Sequence, residues 1–256
     1  MSHTITAYIN YWINKRTKYS IHSPFVYKLI TSGLQQPVDK NKLIKFKRYR
    51  RNLVNSKDVI SVENLDTDSQ VLNTTPKPVK KITGINGNSQ AKAKLIFNLS
   101  DYFKFNSILV LGSSLGINTL IFKTALPQAR ITTIESCKNT LAFTRKKLKK
   151  ANINNIEFIH GTVDEHLLPL LDTQTFDVIY TSKQHTETET LNYFNTIKPL
   201  VQNDTLLIFD DIHRSQDMTK IWNKIISDSC VSVSIDLFYL GLVFFKKELS
   251  KQHFRL

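Results

Sequence analysis

From about residue 88 onward, short apolar runs alternate with stretches in which apolar residues recur every three or four positions. The runs at Ile108–Leu111, Ile131–Glu135, Ile156–His160, Phe176–Thr181 and Leu206–Asp210 read as strands. Residues 116–126, 138–151, 163–171, 186–198 and 215–228 read as the helices that follow them. Near-continuous apolar strands separated by helices predict a parallel sheet covered on both faces, with right-handed crossovers. The last two strand patterns, Val231–Phe238 and Leu242–Lys246, are separated only by Tyr239, Leu240 and Gly241. A parallel crossover needs about a dozen residues, so this pair is predicted to be an antiparallel hairpin. The expectation is an α/β, doubly wound, seven-stranded sheet that ends in that hairpin.

The N-terminal pattern differs. Residues 5–16 and 22–33 read as short helices with aromatic and aliphatic faces. Ser23-Pro24 is a good helix start, and Gly33 a plausible stop. Tyr8, Tyr11, Trp12 and Tyr19 read as packing residues, and so does Trp222 near the other end. A third helix is expected over 42–56, with Leu43, Ile44, Phe46 and Leu53 turned inward, and a fourth over 89–104. Residues 61–86 are polar, with Pro76 and Pro78, and read as a loop or linker. The organisation predicted is a basic helical cap over 1–60, a loop or linker over 61–87, and the sheet domain over 88–256.

Charge sharpens this division. The chain of 256 residues has 35 Lys and Arg against 21 Asp and Glu, a formal net charge of +14. Residues 1–60 hold 12 of those basic residues and only Asp39 and Asp58 as acids, so most of the excess lies in the cap. Lys40–Arg51 (KNKLIKFKRYRR) concentrates it. Such a run either binds phosphate groups, as RNA or another polyanion would offer, or is a solvated helix face. A hydrophobic content of 41% excludes global disorder. Cys137 and Cys230, far apart and without CxxC spacing, exclude a disulfide framework and a Cys-rich zinc site. Both read as buried thiols in a reducing compartment. No apolar run reaches the roughly 18 residues that span a bilayer, and the start lacks an apolar signal core, so a cytoplasmic chain without membrane contact is expected.

The chemistry collects at the strand ends, where open α/β sheets bind their ligands. The first strand runs into Gly112-Ser113-Ser114-Leu115-Gly116. Its G-x-x-x-G spacing is neither the dinucleotide fingerprint nor a P-loop, which disfavours pyrophosphate. About twenty residues on, the second strand ends in Glu135, placed to accept hydrogen bonds from both ribose hydroxyls of an adenosine ligand. An acid favoured by the dipole of the next helix is the structural alternative.

These residues resemble the class I S-adenosylmethionine-dependent methyltransferases, which have a Rossmann-like fold. ILVLGSSLGINTL is similar to the motif-I loop of the O-methyltransferase branch, and ITTIES to its second motif. FDVIYTSKQH, LLIFDDIHRS, VSIDLFYLGLVFFKK and the N-terminal IHSPFVYKLI extend the likeness to a bacterial subgroup familiar from Bacteroidetes. The resemblance implies S-adenosyl-L-methionine as methyl donor and S-adenosyl-L-homocysteine as product. It implies that Gly112, Ser113, Ser114 and Gly116 lie against the methionine part, that Glu135 holds the ribose with Ser136 near the adenine, and that Gly161, Thr162 and Val163 offer backbone N–H groups to the adenine. Asp210, Asp211 and His213 become the candidates for the acceptor side, as the base for a hydroxyl of a small-molecule acceptor. Helix capping is the alternative role for the two aspartates.

Two departures stand beside this. Metal-dependent relatives carry a metal-binding Asp where this chain has Ser182, although His185 fits the pattern. That leaves a carboxylate set for a divalent metal incomplete. The segment 63–75 lacks the glycine-containing acidic loop of the family. Two other readings follow, an RNA or polyanion methyltransferase working through Lys40–Arg51, and a degenerate methyltransferase fold that only binds. The cap could also serve as a lid or as a homodimer surface. His22, beside the helix start, reads as a capping or core residue rather than part of a site.

Overall fold

A computed structural model of the chain describes residues 3–65, 72–86, 89–182 and 184–256. Eight strands form one mainly parallel sheet: β3 (Ser107–Leu111), β4 (Arg130–Glu135), β5 (Ile156–His160), β6 (Val178–Thr181), β7 (Leu206–Asp210), β8 (Val233–Asp236), β9 (Leu240–Phe244) and β10 (Gln252–Arg255). Their spatial order is β10-β8-β9-β7-β6-β3-β4-β5. β9 lies between β7 and β8 and is antiparallel to both. β10 adds an eighth strand, parallel to β8, where seven were expected. Of its four residues only Phe254 is apolar and buried, so the sequence offers no apolar run there.

The chain divides into two compact units: residues 1–36, 105–109 and 167–256, and residues 37–104 and 110–166. In the first, β6 pairs in parallel with β7, and α9 (Glu187–Ile197) and α10 (Gln216–Ser227) flank the strands. Its buried aromatics include Tyr180, Phe194, Phe209 and Phe244. Trp222 of α10 is core, as its spacing predicts, and an added Cβ on Gly241 would come within 2.6 Å of its ring. The strand needs glycine there because an indole lies flush on it. The N-terminal helix α1 (His3–Asn14) sets Tyr8 and Tyr11 against Phe238, with ring centroids 4.9 and 5.4 Å away. Of the four N-terminal aromatics read as packing residues, Tyr11 is buried, Tyr8 keeps its ring on Phe238 while half of it is exposed, and Trp12 and Tyr19 are exposed. After Pro24, α2 (Pro24–Lys28) is capped by Ser23 and continues as a π-helical turn to Leu34, one residue past Gly33.

In the second unit, β4 pairs in parallel with β5, and α5 (Gln90–Phe103), α6 (Ile117–Ala125) and α7 (Lys138–Lys150) carry its core, which includes Phe97 and Phe122. The basic helix α3 (Lys40–Val54) buries Phe46, Tyr49 and Leu53, spaced three and four residues apart, while Ile44 points to solvent. The inward face is therefore set by 46, 49 and 53 rather than by Ile44, which lies nearly half a turn away. Part of the segment read as loop is ordered. β1 (Val59–Leu65) and β2 (Leu72–Pro78) pair antiparallel, and α4 (Val79–Asn86) follows. Pro76 and Pro78 are two apart, so their missing N–H groups fall on the same, outer edge of a two-stranded ribbon, where no partner is needed. Residues 66–71 of the atypical 63–75 segment lie outside the described residues.

Candidate functional site

The second unit builds the glycine loop. Gly112, Ser114 and Gly116 have φ of 82°, 47° and 74°, so three of five residues are left-handed. Glycine suits two of these positions; at Gly116 an added Cβ would also meet Thr144 Cγ2 at 2.8 Å and Leu148 Cδ1 at 3.0 Å. The loop folds back on the end of β4: the Gly112 and Ser113 N–H groups donate to the Ile134 carbonyl at 3.0 and 3.3 Å. Glu135, 6% exposed, completes it. Its Oε2 accepts from the Ser114 N–H at 2.8 Å and the Ser113 hydroxyl at 3.0 Å, and Oε1 faces the Cys137 N–H at 3.3 Å. The residues singled out around 112–116 and 135 thus form one bonded constellation, with a buried carboxylate at its centre.

Two residues that the sequence did not single out for this role hold the loop. The Thr144 hydroxyl of α7 donates to the Ser114 carbonyl at 2.6 Å, and the Tyr49 hydroxyl of α3 donates to the Leu115 carbonyl at 2.8 Å. Burial pushes the Tyr49 phenol well above its ordinary range, so it stays a neutral donor. Ser136 follows Glu135 and is exposed. After β5, Gly161 and Thr162 are half-buried and Val163 is buried. Thr162 caps α8 (Val163–Thr173): its hydroxyl accepts from the Glu165 N–H at 3.3 Å, and its own N–H donates to Glu165 at 3.0 Å. That bond holds the Glu165 carboxyl below its usual range. The Gly161 N–H donates to the Glu135 carbonyl at 3.2 Å. Two of the three N–H groups assigned to the adenine are therefore already engaged within the protein.

The first unit holds the other candidates. Asp210 ends β7 and is buried; Asp211 follows with φ of 54° and donates its N–H to the Tyr239 carbonyl. Neither caps α10, because Ser215 does, its hydroxyl accepting from the Met218 N–H at 3.0 Å. His213 is buried beneath Phe238, stacked at 5.3 Å, with Nε2 2.8 Å from Asp236 Oδ2 and Nδ1 3.4 Å from the Thr219 hydroxyl. Asp236 is thus the partner of His213, and Arg255 approaches it at 3.5 Å. Ser182 is buried and its hydroxyl has no hydrogen-bond partner among the described residues. His185 is half-buried, edge-on to Tyr193 at 5.0 Å. His22 is exposed. Cys137 is a buried free thiol and Cys230 a half-buried one. Among the described residues no three His, Cys, Asp or Glu side chains come together as a metal site, and no helix is long and apolar enough to cross a membrane.

Residues 109–212 match a family model described as a methyltransferase domain. No curated protein sequence matches the chain. Solved structures do. The chain is similar to the SAH-bound methyltransferase PaMTH1 of Podospora anserina, at 14% identity over 87% of this chain and 94% of that one, with a TM-score of 0.60. It is similar to the O-methyltransferase of Bacillus cereus in complex with SAH, at 16% identity over 86% and 96%, TM-score 0.55. It is also similar to the O-methyltransferase TomG of Streptomyces achromogenes, involved in tomaymycin synthesis and solved with SAM, at 17% identity over 86% and 95%, TM-score 0.54. Residues 109–212 are thus similar to a methyltransferase domain, and the chain shares the fold of these solved structures.

Proposed function

We propose that this methyltransferase domain transfers a methyl group from S-adenosylmethionine to an oxygen of a small molecule. The observation that carries the reading is the buried Glu135 carboxylate bonded to the left-handed Gly112–Gly116 loop. The donor set fits the cofactor. A strand-end carboxylate is the acceptor a ribose diol requires, and the Ser113 hydroxyl beside it can rotate aside for the diol. The glycine backbone permits the close approach of a chain lying across it. Adenine contact near Gly161-Thr162-Val163 rests on the Val163 N–H and on van der Waals faces, because the other two N–H groups are bonded elsewhere.

When bound, S-adenosylmethionine supplies a methyl group activated as a sulfonium. The protein then has to position the acceptor and remove its proton. Asp210 and Asp211 are the proposed proton acceptors for an acceptor hydroxyl. His213, with Asp236 on one ring nitrogen and Thr219 on the other, is the third residue proposed for the acceptor side, its ring oriented by Asp236. Ser182 leaves this chemistry independent of a divalent cation, and we place the reaction in the cytoplasm.

Calorimetric titration with S-adenosylmethionine tests the reading. Glu135→Gln, which preserves size, should weaken binding at least tenfold, because a hydrogen bond to a charged group contributes about 1.5–3 kcal/mol. Glu135→Ala should abolish it. An affinity unchanged in a folded Glu135→Gln variant removes Glu135 from the site, and no binding by the native chain removes the reading.

A further inference from the structure

The second unit carries a feature that methyl transfer does not use. α3 and α7 together bear thirteen of the chain's 35 Lys and Arg residues and no Asp or Glu. A groove of about 690 Å³ lies between α3 and the C-terminal end of α7. Lys45, Arg48, Lys147 and Lys150 line it, with Asn52 and Asn152 among the amides. Lys147 is paired with Asp58 at 2.8 Å. Lys45, Arg48 and Lys150 have no carboxylate in salt-bridge reach among the described residues. Basic residues in the last turn of α7 complement its helix dipole, but only Arg51 of α3 is in a last turn. The dipole thus leaves Lys45 and Arg48 unexplained. Their spacing, and that of Lys47 with Arg51 and Lys146 with Lys150, places like charges three and four residues apart, each pair costing about 0.2–0.5 kcal/mol. An anionic partner would offset that cost.

We propose that this groove binds the backbone of a single-stranded nucleic acid, with the cations on phosphates and the asparagine amides on base edges. A concave site cannot lie flat on a bilayer, and its volume of about 690 Å³ is far below that of a turn of duplex. Asparagine amides both donate and accept, as base edges do, whereas lipid phosphates only accept. Both walls are anchored to the 112–116 loop, α3 through Tyr49 and α7 through Thr144, so the groove is a fixed shape rather than two independent helices. The proposal does not rest on the methyl-transfer reading and can stand if that reading fails.

Fluorescence anisotropy with a labelled twelve-nucleotide single-stranded RNA, titrated at several salt concentrations, tests it. The native chain should bind with an affinity that falls as salt rises. The triple variant Lys45→Gln, Arg48→Gln, Lys150→Gln should lower the slope of log affinity against log salt by about 2, at about 0.7 per phosphate contact for single strands. Lys220→Gln, Lys224→Gln, Lys247→Gln, which removes equal charge from exposed positions of the other unit, should leave the slope unchanged. Thermal melts confirm that both variants are folded, and glutamine keeps the aliphatic stems that cover the helices. Absent binding, a flat salt response, equal loss in both triple variants, or tighter binding to vesicles of anionic phospholipid than to RNA would each overturn the proposal.

Discussion

Gly116 separates a demand of the fold from a demand of the ligand. Replacing it with alanine asks an L-residue to hold φ of 74°, which costs about 1–2 kcal/mol. The new Cβ would also lie 2.8 Å from Thr144 Cγ2 and 3.0 Å from Leu148 Cδ1. Thr144 and Leu148 are both buried, and the Thr144 hydroxyl is held on the Ser114 carbonyl at 2.6 Å, so its methyl cannot swing away without breaking that bond. Overpacking of this kind costs about 1–3 kcal/mol. Gly116→Ala should therefore lose about 2–5 kcal/mol, and at about 2–4 °C per kcal/mol the melting temperature should fall by roughly 4–20 °C. Urea denaturation followed by circular dichroism reads the first quantity. Adding Thr144→Ser, which removes the clashing methyl and keeps the hydroxyl, should restore part of the overpacking share and none of the dihedral share. A Gly116→Ala loss below about 0.5 kcal/mol, within the range of neutral surface changes, would refute this packing account, as would a double variant no more stable than the single one.

Other expectations follow from single contacts. Tyr49→Phe leaves the buried Leu115 carbonyl without its donor and should cost about 1–3 kcal/mol in the same denaturation assay. Asp211→Asn keeps a residue that tolerates φ of 54°, so the fold should survive while methyl transfer to a hydroxyl acceptor falls by about 10²–10⁴-fold; full activity would clear Asp211 of the base role. Lys198, 2.7 Å from Asp228, holds that carboxyl down to about 2. Because the folded value is the lower one, the contribution is complete above about pH 4 and disappears as pH falls toward 2. The pair is partly exposed, so its worth is about 0.5–1 kcal/mol, and an acid titration of stability should lose that portion in Asp228→Asn. Burial pushes the Cys230 thiol up to about 12, so it should react far more slowly with a thiol reagent at pH 8 in the native chain than after unfolding.

The centre of the sheet was legible because strands such as β3 and β7 are buried on both faces and announce themselves as apolar runs. β7 and the β8–β9 hairpin follow the predicted segments to within a few residues. β10 was not legible, because an edge strand with one buried residue carries no such run. The β1–β2 ribbon escaped notice for a related reason: two prolines that argue against a central strand are tolerated on an outer edge. On α3 the apolar pattern was ambiguous, since Ile44 and Tyr49 compete for the inward face, and the Tyr49 hydroxyl settles it by reaching Leu115. The glycine loop and Glu135 were visible because strand order makes their sequence spacing meaningful. Thr144 and Asp236 were not, because each acts through a single long-range hydrogen bond that leaves no periodic trace.

The central claim is that the Gly112–Gly116 loop and Glu135 hold S-adenosylmethionine. A crystal structure of the chain grown with S-adenosylhomocysteine tests it most directly. The expected complex has the ribose hydroxyls on the Glu135 carboxylate, the Ser113 hydroxyl turned aside, and the amino-acid end across Gly112. The ligand bound elsewhere, or a Glu135 that keeps both serine contacts while the ligand sits in the crystal, would contradict it.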